Sequence, residues 1–192
     1  MDHKAKGIIL RAHNYSESDL VLKVLLSSGQ VESFLAKGAK KSKKRFGGGV
    51  LEPLSYSELT YKSKNNSALN FLNEASVVNG FEGIRKDYDR LNMAFDLVKI
   101  IDKFGTAASD VGQETFNLLG NALKALTADC HLGLFKLVFL SKLLHIQGVL
   151  PDDWSKSNLV TYPISQHQEI ELDDDKVYRL QRKADFYLQE LF

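Results

Sequence analysis

Six of the nine residues from Lys37 to Arg45 are cationic (Lys37, Lys40, Lys41, Lys43, Lys44, Arg45), none is acidic, and Phe46 with Gly47, Gly48 and Gly49 follows directly. Six like charges in so short a segment repel one another. A polyanion relieves that repulsion while shedding its own condensed counterions. The glycines allow a backbone to approach a ligand closely, and the flanking Phe34 and Phe46 are rings on which bases could stack. The segment reads as a phosphate-binding loop. A merely solvated lysine run is the plain alternative, and an acidic protein partner would satisfy the same charges. The glycine triplet lacks the spacing and the Lys-Ser/Thr of a P-loop, which excludes an ATPase reading.

Other clusters carry less chemistry. Tyr15-Ser16-Glu17-Ser18-Asp19 holds two carboxylates, but it reads as a polar turn in which Asp19 ties its own loop. Arg85, Lys86 and Arg90 either form helix-surface ion pairs with Asp87 and Asp89 or extend a positive face. His3, His13, His131, His145 and His167 make no HxH or HxxxH pair, so no metal site is expected. Cys130 adjoins His131 with poor geometry for nucleophile and base. Asp173-Asp174-Asp175 suits a helix N-terminus and lacks the spaced oxygens of a calcium loop. No motif demands catalysis, and the chain is read as a non-enzyme without a cofactor.

The elements that must carry these residues change character near residue 80. Before it, Lys6–Asn14, Asp19–Leu26, Gln30–Ala36, Val50–Tyr61 and Ala68–Val78 read as strands, with a hairpin turn at Ser27-Ser28-Gly29 and turn chemistry at KSKNNS. Five short strands with a long third connection fit an OB-fold barrel. From Phe81 the apolar period becomes helical: one amphipathic helix to Phe104, a second over 111–128 capped by Ser109 or Asp110, a third over His131–Gln147, and a last over Lys176–Phe192. The third is apolar nearly all round and belongs at the centre of a bundle. Residues 152–175 read as polar and irregular. The expected fold is α+β, with an OB-fold domain at 1–79 and an all-α domain at 80–192.

Charge follows the same division. Residues 1–79 carry 12 Lys/Arg against 7 Asp/Glu, whereas residues 80–192 carry 13 against 17, within a chain of net charge +1. A basic half for nucleic acid and a mildly acidic half for packing or protein contacts is the natural reading. One cysteine excludes an internal disulfide and a cysteine-rich zinc site. The N-terminus lacks the apolar core of a signal peptide, and no apolar run approaches a membrane span. A cytoplasmic, nucleoid-associated location without a membrane is expected.

The stretch GIILRAHNYSESDLVLKVLLSSGQVESFLAKGAKKSKKRFGGGVLEP resembles the N-terminal region of the RecO family of bacterial recombination mediators. Gly7, Arg11, Tyr15, Glu17, Asp19, Ala36, Lys37, Gly38, Ala39 and Arg45 match the family pattern in place. FEGIRKDYDRLNMAFDLVKIIDKF and LFKLVFLSKLLHIQGVLP are similar to its helical part, so the resemblance spans about residues 4–151. Ser16 stands where the family usually has Gly. Many members carry a four-cysteine zinc insert after the Gly-x-x-Pro step. Here Pro151 is followed by no cysteine, so the insert around 152–175 is shortened and zinc is not carried over.

The resemblance implies binding of single- and double-stranded DNA, annealing of complementary strands, and work with RecR to load RecA onto strands coated by single-strand-binding protein (SSB). Lys37, Lys40, Lys41, Lys43, Lys44 and Arg45 would neutralise phosphates, helped by Arg11, Lys62 and Lys64 and by stacking on Phe46. It also implies that the SSB C-terminal tail, acidic and ending in Phe, docks in an apolar groove of the helical part. Lys136, Lys142, Arg179, Arg182 and Lys183 are its expected partners there. The alternative is a non-catalytic adaptor whose basic loop docks an acidic peptide.

Overall fold

The computed structural model describes residues 2–63, 69–104, 110–128 and 130–191. These divide into two compact units: the residues up to Phe81 with Asp110–Phe116, and Glu82–Phe104 with the residues from Asn117 onward. The class is α+β, a five-stranded barrel followed by helices.

The barrel closes in the order β1-β2-β3-β5-β4, from β1 (His3–Asn14), β2 (Leu20–Leu26), β3 (Val31–Ala36), β4 (Tyr56–Lys62) and β5 (Leu69–Asn79). Only β3 and β5 pair in parallel. This is OB-fold topology. Its interior holds Ile9, Leu22, Val24, Phe34, Leu59 and Leu72, all buried. A bulge in β1 leaves Leu10 without a partner between the pairs Ile9↔Val24 and Arg11↔Lys23. The bulge turns the strand, so that Ile8, Ile9 and Leu10 are all buried while Arg11 and His13 face solvent.

The fourth strand is shorter than the sequence suggests. Val50, Leu51 and Leu54 are buried, but they lie in turns, from which Val50 and Leu51 pack into the barrel core. The Leu54 N–H donates to the Ile9 carbonyl at 2.9 Å, and the Ile9 N–H donates to the Ser55 carbonyl at 3.0 Å. Apolar residues that look like a strand are here spent on closing one end. Within the same unit, the first turns of α4 (Asp110–Ala125) lie against the β2–β3 turn. A Cβ on Gly29 would sit 2.3 Å from the Gly112 carbonyl carbon. Phe116 packs on Tyr56 at 5.9 Å between ring centroids.

In the second unit the expected helix from Phe81 to Phe104 is two pieces, α2 (Glu82–Arg85) and α3 (Tyr88–Phe104). Asp87 separates them because its Oδ1 accepts the Arg90 N–H at 2.9 Å, an N-cap that starts a new helix. Helix α5 (Leu132–Ile146) buries nine side chains from Leu134 to Leu144. It packs against α7 (Asn158–Thr161), the 3-10 helix Ile164–Glu169 and α8 (Asp174–Gln189). His131 caps α5 through Nδ1 and the Leu134 N–H, 3.1 Å apart, and Asp173 caps α8 through the Lys176 N–H at 2.7 Å. Residues 152–175 are regular where an irregular segment was expected, forming α6 (Asp152–Ser155), α7 and the 3-10 helix. The buried Ser141 on α5 anchors them by accepting the Trp154 indole N–H at 3.1 Å.

Candidate nucleic-acid interface

Two loops build the basic surface. The first, between β1 and β2, folds on itself: the Tyr15 N–H donates to the Asp19 carbonyl at 3.0 Å, and the Asp19 N–H to Ser16 Oγ at 3.1 Å. The second begins where β3 ends, and the first holds it. Asp19 Oδ1 accepts the Gly38 N–H at 2.8 Å, and the Lys40 N–H donates to the Ser18 carbonyl at 3.1 Å. The carboxylate therefore ties the neighbouring loop as well as its own, where Oδ1 also accepts the Ser18 hydroxyl at 3.3 Å. That bond holds the Asp19 carboxyl below the usual carboxylate range, with help from Ser16, Ser18 and the charge of Lys37 and against some burial. This explains why Tyr-x-Glu-x-Asp and Ala-Lys-Gly-Ala belong together: one motif supplies the acceptor, the other the donor.

Gly38 sits at φ 65°, a left-handed position that glycine occupies without cost. The turn it makes leads into a short helix, α1 (Lys43–Phe46), so the cations are spread over an ordered turn. The Lys41 and Ser42 N–H groups donate to the Gly38 carbonyl at 3.1 and 3.0 Å. Arg45 closes the turn, donating from Nη2 to the Lys37 carbonyl at 2.8 Å and from Nε to Ser42 Oγ at 3.1 Å. Its guanidinium lies 4.9 Å from the Phe46 ring centre, and the Lys37 ammonium lies 5.2 Å from that of Phe71. Lys37, Lys40, Lys41, Lys43, Lys44 and Arg45 are all exposed.

The structure does not place the two aromatics as base-stacking platforms. Phe46 is 8% exposed and packs into the barrel core with Ala39, Val50 and Leu51, because the helical turn KKRF points its fourth residue inward. Phe34 is wholly buried, edge-on to Tyr61 at 5.0 Å. The rings that lie under cations are Phe46, beneath Arg45, and Phe71, beneath Lys37.

Arg11 is exposed and stands opposite Lys23 across the β1–β2 ladder. Lys23 adds a cation that the sequence pattern hides inside an apolar strand. Lys62 stands opposite Phe71, the ring under Lys37, and is paired with Asp2 at 3.8 Å. Lys64 lies outside the described residues.

In the second unit the five expected partner cations do not gather. Lys142 lines a cleft of about 840 Å³ together with Leu118, Lys124, His145, Ile146 and Ile164. Its ammonium donates to the Val160 carbonyl, and burial lowers its pKa. Arg182 and Lys183 line a separate groove with Phe186 and Tyr187. Arg179 pairs with Asp175, and Lys136 is half-buried elsewhere on α5. Charge placement alone cannot group them, because α5 and α8 present these side chains in different directions. Lys124 and His145, outside the expected set, also line the cleft; each lies in the last turn of its helix, where a cation suits the dipole. The cleft lining contains no Asp or Glu among the described residues.

Zinc does not fit residues 152–175, which hold no cysteine and a single histidine. That histidine, His167, is buried with Nδ1 2.9 Å from the Ile164 carbonyl. Among the described residues no group of three His, Cys, Asp or Glu could hold a metal, and no helix is long and apolar enough to cross a membrane.

Residues 1–81 match the sequence family described as "Recombination protein O N terminal". The chain is 36% identical over 121 residues to a DNA repair protein RecO of Syntrophus aciditrophicus, covering 63% of this chain and 46% of that protein. It is 30% identical over 154 residues to that of Maridesulfovibrio salexigens (79% and 61%). To that of Rubrobacter xylanophilus it is 29% identical over 150 residues (78% and 58%). The matched part thus spans about half to three-fifths of these relatives' length.

Proposed function

From the premise that this chain belongs to the RecO family through its N-terminal domain, we propose that it is a non-catalytic DNA repair and recombination mediator. In this reading residues 1–79 bind single- and double-stranded DNA and residues 80–192 bind protein partners. The observation that carries it is the ordered cationic turn at 37–45, held open to solvent by Asp19 and Arg45. Annealing needs no active site. It needs a surface that screens two phosphate backbones from each other and leaves the base edges free to pair. A turn whose cations stand on a closed barrel, with its aromatics turned inward, does this without sequence preference.

The finer role is the one the family resemblance implies: annealing of complementary strands and, with RecR, loading of RecA onto SSB-coated DNA in the cytoplasm at the nucleoid. The cleft, whose lining among the described residues carries no Asp or Glu, supports the SSB tail as a partner. Lys124, Lys142 and His145 would meet carboxylates, and Leu118, Ile146 and Ile164 a terminal phenyl ring. The test is annealing of complementary oligonucleotides with and without SSB on the strands. Acceleration on both is expected, and no acceleration on bare strands would refute the reading. The adaptor alternative is separated by anisotropy with an acidic peptide ending in Phe. Replacing the turn lysines abolishes peptide binding only if the turn, rather than the cleft, is the peptide site.

A further inference from the structure

The basic turn accounts for phosphate binding but supplies no ring for a base, since Phe34 and Phe46 are buried. Among the described residues of the barrel unit, one Phe, Tyr or Trp is exposed: Tyr15, at 66%. An exposed tyrosine on its own is ordinary. Its position is what distinguishes this one. Tyr15 stands in the β1–β2 loop, which in OB-folds is one of the loops that meet oligonucleotides. The Asp19–Gly38 and Ser18–Lys40 hydrogen bonds join this loop to the cationic turn, and the Tyr15 N–H is itself bonded to Asp19. Past the bulge of β1, Arg11 and His13 are exposed at alternate positions leading up to Tyr15.

We propose that Tyr15 is the base-stacking platform of the barrel, receiving an unpaired base from a single strand whose phosphates lie on the Lys37–Arg45 turn. The proposal rests on the DNA-binding reading of that turn and adds to it a preference for unpaired strands. A duplex keeps its bases stacked on each other, so the ring gains nothing from it. A single strand offers a free face, and every base has one, so the contact is indifferent to sequence.

The experiment uses the full chain with Tyr15→Ala, Tyr15→Leu and Tyr15→Phe, read by anisotropy of a labelled oligothymidylate strand and of a labelled duplex. Tyr15→Ala and Tyr15→Leu should weaken single-strand binding by about 5- to 150-fold. Duplex binding and the salt slope should not change, because no charge is lost. Tyr15→Phe, which keeps the ring, should bind as the parent does. Unchanged single-strand binding in Tyr15→Ala, or equal loss on both substrates, would overturn the proposal. A chain with Lys40, Lys41, Lys43 and Lys44 replaced by Ala is measured alongside. If that chain keeps its affinity and salt slope, the turn reading fails; if it loses both while Tyr15→Ala changes nothing, only the stacking proposal fails.

Discussion

Replacing Lys40, Lys41, Lys43 and Lys44 by Ala tests the cationic turn most directly. The four are exposed, and the contacts that shape the turn run through the backbone of Gly38, Lys40 and Ser42 and through Arg45, which remain. Alanine also favours the helical turn at 43–46. The fold is therefore expected to survive, and the change to be electrostatic. If each lysine neutralises one phosphate, the slope of log affinity against log salt falls by about 3.6 on duplex and about 2.8 on single strand. Between 50 and 200 mM salt the parent then loses about 150-fold more duplex affinity than the variant, and about 50-fold more on single strands. The assay is anisotropy titration at four or more salt concentrations within that range. The variant's formal charge is −3 against +1 for the parent. A matched chain with Lys86, Lys99, Lys103 and Lys156 replaced by Ala carries the same net change. Its slope should stay at the parent value. Equal slopes in the two variants would refute the reasoning, since they would make the effect one of net charge and not of the turn.

Three further outcomes follow from particular contacts. Asp19→Asn should remove a pH-dependent part of the barrel's stability: because the folded carboxyl titrates below 3.8, the parent's advantage is present above that pH and lost as pH falls through the folded value. Urea unfolding of both chains across that range checks it, and a constant difference would contradict it. Gly29→Ala places a Cβ at φ 90° and 2.3 Å from the Gly112 carbonyl carbon, and should cost about 2–4 kcal/mol by chemical denaturation. Burial pushes the His167 pKa below 6.5, so the unfolded chain takes up the proton first. Stability should fall as pH drops below 6.5 and level off under the folded pKa, and His167→Gln should flatten that decline.

Much of this architecture is legible from residue pattern. The alternating and β-branched runs locate all five strands, and the change to a helical period near residue 80 locates the start of the helices. The run of α5, apolar nearly all round, marks it as central, and nine of its side chains are indeed buried. What the pattern misreads is where an apolar residue is used. Val50 and Leu51 look like strand but plug the barrel from turns, and Phe46 looks like a flank of an open loop but is the inward residue of a helical turn. Asp87 splits a helix because a local cap outcompetes continuation, which the apolar period does not register. Residues 152–175 look irregular because each helical piece is four to six residues long, too short to show a period. At the site, the cations are plain in sequence, while the bond that positions them joins residues 19 and 38 and is invisible to any short window.

The closure of the turn by Arg45 and Asp19 has a kinetic consequence. A loop that had to order itself around DNA would place a slow, salt-insensitive rearrangement between encounter and capture. Here the Arg45–Lys37 and Asp19–Gly38 bonds exist before any ligand arrives. Arrival is then governed by long-range attraction and should slow as salt rises, as electrostatic steering does. Departure requires only that counterions return, with no refolding to undo. If the turn binds DNA as proposed, such a surface would take up and surrender strands quickly, so that two strands would sample many registers on it before one pairing became permanent.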